Sequence, residues 1–538
     1  MNSGYGRKGF IGLLVLGLTA CHSGPSPATS KNTDSNTLKK TPAADTALAG
    51  SFSSQSTLRF DSTLLDTFFA QYPTLSAYNA DVRQFYRARN DAFAWYDAKG
   101  QIEQAGHLYN KINNLSDEGI NTRAPYIRSL DTLMGNTDLT DRASLVRTEL
   151  LLTSMYFYFA QRAWAGLEES KTKKIEWLLP RKKISYGDWL QSYLHKPDSG
   201  MVAKEPVYRQ YFLLKEYLHR YIRILQQNDW KPLSMEKSSY RAGDSAALLK
   251  DIRKRLQALG DSPGNDTGCL YDAGMEQAIK NFQHRLGMKE DGIITRSVLS
   301  ELNTPIQKRI SQILVNMERS RWLPDTVRGD YLAINIPEFK LHMYRDDSLL
   351  WDMNVVVGRS VYKTVIFSGT MKNIVFSPYW NVPPGILKKE VLPGIKRNKN
   401  YLATHHMEMD GNGGVRQKPG PWNSLGGVKF LFPNSYAIYL HDTPAKNLFG
   451  ENDRAFSHGC IRLGEPAKLA AYLLRNDPAW DPEKIAKAMH TGKEKWVTLK
   501  GAVRVFIVYF TAWVDRQGRL NFRKDIYARD KRLETMLN

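Results

Sequence analysis

The stretch HDTPAKNLFGENDRAFSHGCIRL, residues 441–463, places two histidines and a cysteine around one glycine. It follows the apolar run YAIYL at 436–440, which predicts a strand ending at His441. A thiol attacks only as its thiolate, so a nucleophilic cysteine needs a base within hydrogen-bond reach and N–H donors for the oxyanion. Cys460 is the candidate nucleophile, and His441, at a strand end, is placed as a rigid base. Gly459 permits a sharp turn, so the N–H groups of Gly459 and Cys460 are expected to converge on one spot. Arg462 adds positive charge that favours the thiolate and any substrate carboxylate.

Blander readings of these residues stay open. A single cysteine is commonly a small buried apolar group, and most histidines are structural. His441, His458 and Cys460 are also ligand types that zinc accepts, although the i, i+2 spacing of His458 and Cys460 is unusual and no fourth ligand is evident.

The H-x-T-P pattern at 441–444, followed after a spacer by SHGCIR at 457–462, resembles the signature of the L,D-transpeptidases, the YkuD-like catalytic domain of bacterial cell-wall synthesis. The resemblance extends to PGPWNSLG at 419–426 and YFTAWVD at 509–515. It implies that Cys460 is the nucleophile and His441 the proton donor and acceptor. It further implies that His458 and Gly459 shape the oxyanion pocket and that Arg462 buttresses it. By the same resemblance, a tetrapeptide stem of peptidoglycan donates the acyl group, D-alanine leaves, and a 3→3 cross-link between diaminopimelate residues results. Such an enzyme is a carbapenem target and uses no cofactor and no metal. Water as acceptor would make the same cysteine an L,D-carboxypeptidase. A degenerate domain would leave a catalytically silent wall-binding lipoprotein.

The chain has 538 residues, more than one hydrophobic core accommodates, so several domains are expected. Hydrophobic residues make up 42% and aromatics 11%, which excludes wholesale disorder. A formal charge of +21 favours polyanionic surroundings, whether nucleic acid, anionic lipid or an acidic wall polymer. No nucleic-acid-binding motif accompanies that charge, so no nucleic-acid partner is expected.

Arg7 and Lys8 precede an apolar run from Phe10 to Leu18, a secretory signal over residues 1–20 too short for a span. Leu18-Thr19-Ala20-Cys21 resembles a lipobox, implying lipidation of Cys21 and a periplasmic lipoprotein anchored to a membrane; a plain signal peptide is the alternative. His22, in place of Asp, favours the outer membrane by the same resemblance. Residues 21–56, rich in Ser, Thr, Ala, Asn and Pro, read as a flexible tether. With Cys21 lipidated, the remaining thiols are Cys269 and Cys460, and a disulfide between them would block the chemistry.

Working outward, the fold is expected to be multidomain, with a helical scaffold, a three-helix module and a mainly β catalytic domain. Residues 57–235 read as the scaffold, with a buried helix over 145–165 and an amphipathic one from Pro206 to Gln227. Residues 236–303 predict three helices, the first capped by Asp244 or Ser245, the second by Asp272 and the third starting at Thr295. AIKNFQHRLGMKEDGIIT at 278–295 resembles the peptidoglycan-binding domain family; a docking element without ligand is the alternative. An amphipathic helix connects through 304–330. Residues 331–515 carry short β runs, with Val503 to Trp513 expected in the middle of the sheet, and 516–538 read as a charged peripheral tail. The insertion at about 385–426, with Lys388, Lys389, Lys396, Arg397 and Lys399, reads as a mobile lid facing an acidic substrate, or else as a plain surface loop. Trp422, Asn423 and Ser424, with Tyr439, are the candidate substrate-binding residues.

Overall fold

The computed structural model describes residues 58–97, 99–135, 140–195, 205–262, 264, 268–411 and 413–537. The signal, the tether and Cys21 lie outside the described residues. The N-terminal body is helical and includes α1 (Asn79–Ala88), α2 (Arg142–Phe159) and α3 (Gln210–Gln227). From Thr148 to Phe159 every side chain of α2 is buried, so the helix is enclosed on all faces. Its one charged group there, Glu149, is stapled by Tyr86 Oη (2.7 Å), the Trp95 N–H (3.0 Å) and the Ala94 N–H. Helix α3 begins at Gln210 rather than at Pro206 and buries Tyr211, Leu214, Leu218, Tyr221 and Ile224 along one side.

The next module holds α4 (Ala247–Leu259), α5 (Ala273–Arg285) and α6 (Arg296–Leu302). Asp272 caps α5 by accepting from Met275 N–H (2.8 Å), and Thr295 caps α6. Neither Asp244 nor Ser245 caps α4, whose N-cap is Ala246; Asp244 instead accepts from the Arg241 N–H at 2.9 Å.

Helix α7 (Ile306–Trp322) follows, and its second half differs from an amphipathic connector. Val315 to Trp322 are all buried, including Asn316, Glu318, Arg319 and Arg321. The charges survive burial because they are paired. Arg321 meets Glu318 at 2.6 Å and the carbonyls of Ala163 (3.0 Å) and Glu118 (2.7 Å), while Glu318 also accepts from the Leu167 N–H at 2.6 Å. On its other side Asn316 bonds the backbone and hydroxyl of Thr511, and Arg319 pairs with Asp530 at 2.7 Å. Sequence periodicity sees the charges of this helix but not the partners that bring them inside.

The C-terminal half is a closed sheet. Its strands are β1 (Asp330–Asn335), β2 (Lys340–Arg345), β3 (Ser348–Gly358), β4 (Ser368–Phe376), β5 (Val428–Leu431), β6 (Leu440–His441), β7 (Ala455–Ser457), β8 (Ile461–Leu463) and β9 (Lys495–Val508). They run in the order β7-β3-β8-β6-β5-β4-β9-β1-β2. The long β3 also pairs with β2 from Ser348 to Asn354, returning the sheet on itself and removing an open edge. Alternating Val503, Val505 and Ile507 put β9 inside the sheet between β4 and β1, with their side chains in the barrel core.

Between β4 and β5 the inserted segment is a folded subdomain. Short helical turns from Pro384 to Thr404 lead to a three-stranded antiparallel sheet of Met407–Met409, Val415–Gln417 and Trp380–Asn381. Val382, Val391 and Val415 give it a small core of its own.

Residues 516–537 are not the peripheral tail expected over 516–538. Strands β10 (Ala512–Val514) and β11 (Leu520–Phe522) form a hairpin whose apolar side chains join the helical core. Gln210 exchanges two 2.8 Å hydrogen bonds with Val514, and Arg285 donates to the Leu520 carbonyl at 2.8 Å. Helix α8 (Arg529–Leu537) then buries Leu533 completely in the barrel core, and Arg529 pairs with Glu176 at 2.9 Å. Arg519, Arg523, Arg529 and Asp530 pair with neighbours while Arg516, Lys524, Lys531 and Arg532 stay exposed, and the few apolar residues between them carry the packing.

Replacing Leu533 by Ala is therefore expected to cost about 2–4 kcal/mol in denaturant unfolding. A residue in a peripheral tail would change stability by less than about 0.5 kcal/mol.

Candidate active site

Strands β6 and β8 lie parallel, with Leu440 opposite Ile461 and His441 opposite Arg462. The Ile461 N–H donates to the Tyr439 carbonyl at 3.2 Å, so Cys460 sits across from Tyr439. Leu440, Ile461 and Leu463 are fully buried in the barrel. Side chains alternate along a strand, so Tyr439, His441, Cys460 and Arg462 emerge together on the opposite face. The rings of Tyr439 and His441 are 5.7 Å apart there.

The residues after His441 hold it in place. Asp442 accepts from the N–H groups of Gly427 (2.8 Å) and Thr443 (2.7 Å) and pairs with Lys446. The His441 Nδ1 contacts the Asp442 carbonyl at 2.5 Å. A carbonyl can only accept, so Nδ1 carries the proton and Nε2 keeps a basic lone pair.

Gly459 has φ of +114°, a conformation for glycine, while a Cβ placed on it would meet only the Lys363 and Tyr362 carbonyls at 3.8 Å, an ordinary contact. Backbone shape, not lack of space, fixes this residue. The Gly459 N–H donates to Ser457 Oγ at 3.1 Å, and that hydroxyl donates to the Cys460 carbonyl at 2.6 Å. This corrects the expected convergence of two N–H donors, because the Gly459 donor is already engaged. His458 is turned outward: its Nε2 accepts from Arg359 at 2.9 Å, and its ring lies 4.8 Å from that of Tyr362. Glu390 and Lys389 of the inserted subdomain reach this same cluster, at 3.7 Å from His458 and 3.4 Å from Tyr362 Oη. His458 thus forms an outer wall where the insertion meets the motif.

The Cys460 sulfur is half-buried, and its thiol donates to the Ala437 carbonyl at 3.7 Å. Burial pushes the thiol up, outweighing Tyr439 and Arg462, which both favour the thiolate. Burial and the neighbouring Arg462 push His441 down to about 4. The resting pair is therefore a neutral thiol and a neutral imidazole, and Arg462 helps ionisation without securing it. The Arg462 Nε is buried and has no hydrogen-bond partner among the described residues.

The other expected contacts separate. Trp422 is exposed and stacks on His406, with ring centroids 3.7 Å apart. Asn423 is fully buried; its amide donates to the carbonyls of Pro378 (3.0 Å) and Lys418 (2.9 Å), and its oxygen accepts from the Leu425 N–H (2.8 Å). That corrects the expectation of a substrate contact, since Asn423 is spent on holding its own loop. Ser424 is bonded through its N–H to Gln417 at 2.9 Å. Arg359, Tyr362, Thr364 and Tyr527 approach the motif from elsewhere in the chain, and no spacing in the sequence announces them. Cys269 and Cys460 are both free.

Residues 329–485 match the family described as "L,D-transpeptidase catalytic domain". Residues 80–218 match "Scaffold domain", and 245–302 match "Putative peptidoglycan binding domain". A curated relative from Haemophilus influenzae, "Putative L,D-transpeptidase", is 32% identical over 251 residues, which are 43% of this chain and 50% of the relative. The chain thus spans about half the length of that relative. Two solved structures are similar, the L,D-transpeptidases of Xylanimonas cellulosilytica and Stackebrandtia nassauensis. They are 13% and 15% identical, each covers 51% of this chain and 100% and 97% of its own, and the TM-scores are 0.18 and 0.22. Those scores are too low to bear on the fold.

The imidazole of His441 gives a pH prediction. Its unfolded value of 6.5 lies above the folded value of about 4, so the unfolded chain takes up the proton first on acidification. This contribution is complete above pH 6.5 and is lost as pH falls toward about 4, a change of about 3 kcal/mol. Unfolding midpoints measured across that interval should fall less steeply in His441→Gln than in the wild type.

Proposed function

Because residues 329–485 match the L,D-transpeptidase catalytic domain, we propose that the protein is a cysteine L,D-transpeptidase that forms 3→3 cross-links in peptidoglycan through a thioester. The observation that carries this reading is the register of β6 on β8, which sets His441, Cys460 and Arg462 on one face.

His441 Nε2 takes the thiol proton as sulfur attacks the donor carbonyl, so the thiolate forms only when it is needed. The C–S bond forms, the C–N bond to the terminal D-residue breaks, and the proton passes from His441 to the departing amine. An acceptor amine then attacks the thioester, with His441 again as base, and frees the sulfur. Because the pair rests neutral, substrate binding and a turn of the thiol from Ala437 toward the imidazole precede attack. The positive charge of Arg462 on this face favours a carboxylate of the stem peptide. The lysines at 388, 389, 396 and 399, with Arg397, put positive charge on the inserted subdomain, which we read as a lid over the groove. Trp422 and Tyr439 remain candidate substrate contacts.

The module at 245–302 supports a wall-associated enzyme. A lipid on Cys21 would anchor it at a membrane facing the periplasm.

Incubated with a disaccharide-tetrapeptide, the protein should release D-alanine, gain the acyl mass and yield 3→3 dimers. Cys460→Ala should lower D-alanine release by at least about 10⁴-fold with an unchanged unfolding midpoint. Substantial turnover by that variant would refute the nucleophile. Tripeptide without dimer would identify the L,D-carboxypeptidase, and no release at all by the wild type would leave a wall-binding protein. A carbapenem should add its mass to the wild type and not to Cys460→Ala.

A further inference from the structure

We propose that Thr364, held by Tyr527, is a positioning residue that aims the backbone N–H of Cys460 at the oxyanion of acyl transfer. The inference rests on the reading of Cys460 as nucleophile. Thr364 is completely buried. Its Oγ1 accepts from the Gly358 N–H at 2.9 Å and donates to the Gly459 carbonyl at 2.8 Å. Tyr527, also buried, accepts from the Thr364 N–H at 3.2 Å and donates to the Gly358 carbonyl. The Tyr527 backbone is itself tied to Tyr509 Oη at 2.9 Å, and Tyr509 to Asp525 at 2.7 Å. A rigid chain of hydrogen bonds therefore runs from the last part of the fold to one peptide group in the motif.

That peptide joins Gly459 to Cys460. In a trans peptide the C=O and the following N–H lie in one plane and point in opposite directions. With the Gly459 oxygen pinned inward on Thr364, the Cys460 N–H is directed away from Thr364. The neighbouring N–H, that of Gly459, is consumed by Ser457 Oγ. Cys460 thus supplies the backbone donor of the loop, and its direction depends on the Thr364 hydroxyl. A glycine can swing widely, so without this anchor the peptide plane is free to rotate. The donor matters when sulfur adds to the carbonyl: the C–S bond forms, the carbonyl π pair moves onto oxygen, and the proton goes to His441. Only then does negative charge need the N–H, so a misaimed donor slows the step without weakening ground-state binding.

Thr364→Val keeps the branched shape and removes the hydroxyl; Thr364→Ser restores it. Each variant, with Tyr527→Phe, is compared for the rate of acylation by a disaccharide-tetrapeptide, for its half-saturating donor concentration, and for alkylation by iodoacetamide, which forms no oxyanion. Thr364→Val is expected to acylate about 10²–10³-fold more slowly, with half-saturation and alkylation within about twofold of wild type. Thr364→Ser should recover most of the rate, and Tyr527→Phe should fall between the two. Acylation by Thr364→Val at the wild-type rate overturns the inference. So does a loss shared equally by alkylation and unfolding midpoint that Ser does not rescue, since that is a purely structural role. Acylation retained in Cys460→Ala instead overturns the underlying reading, whatever happens at position 364.

Discussion

The site depends on one short pairing, β6 on β8. Both strands are brief, yet sliding one past the other by a residue would turn His441 into the barrel and Leu440 out of it. Ladder bonds alone are too few to prevent that. The register is held by interior Leu440 and Ile461 and by side chains that clamp both approaches to the strands. Asn434 ties the carbonyls of Phe432 (2.7 Å) and Ile438 (2.8 Å) on the way in, and Asp442 fastens the turn on the way out. Beyond β8, the Gly464 N–H is held by the Asn354 carbonyl at 2.9 Å. The D-T-P that follows the histidine therefore has a mechanical reason to be there.

Electrostatics in the same place turn on burial, which outweighs the charge of Arg462 at the thiol and acts together with it at the imidazole. A guanidinium beside a thiol suggests a standing thiolate, and it does lower the cost of one. Removing the sulfur from water costs more, so the net direction is upward. The imidazole is pressed the other way by the same two causes. In the proposed reaction, a pair that rests uncharged would keep its sulfur from reacting with passing electrophiles and ionise in concert with a bound substrate.

The sequence made legible what local periodicity and motif chemistry encode. The special backbone of Gly459, the cap at Asp272 and the enclosed helix around Glu149 follow from residue type and spacing, whereas the strand expected over 436–440 is only Leu440–His441, because Ala437 is left-handed at φ +54°. Features built by distant partners were hidden. Glu318, Arg319 and Arg321 look like a solvated helix face until Glu118, Ala163 and Asp530 are brought to meet them. Asn423 looks like a ligand contact because amides in loops often are, but its bonds close on its own backbone. Thr364 and Tyr527 sit in stretches with no motif, and their link to Gly459 exists only because the chain returns after β3 and again after β11. Residues beyond 515 misled through composition, since charge dominates there while Leu520, Phe522 and Leu533 do the packing.

The hairpin β10–β11 has a temporal consequence. Its apolar residues complete a core whose first members lie near residue 60, so the helical body cannot reach final packing until translation has passed residue 522. Early helices must wait as partly exposed surfaces, and the barrel cannot close β9 onto β1 much sooner. Two architectures that could have ripened one after the other are instead bound to mature in a single late event.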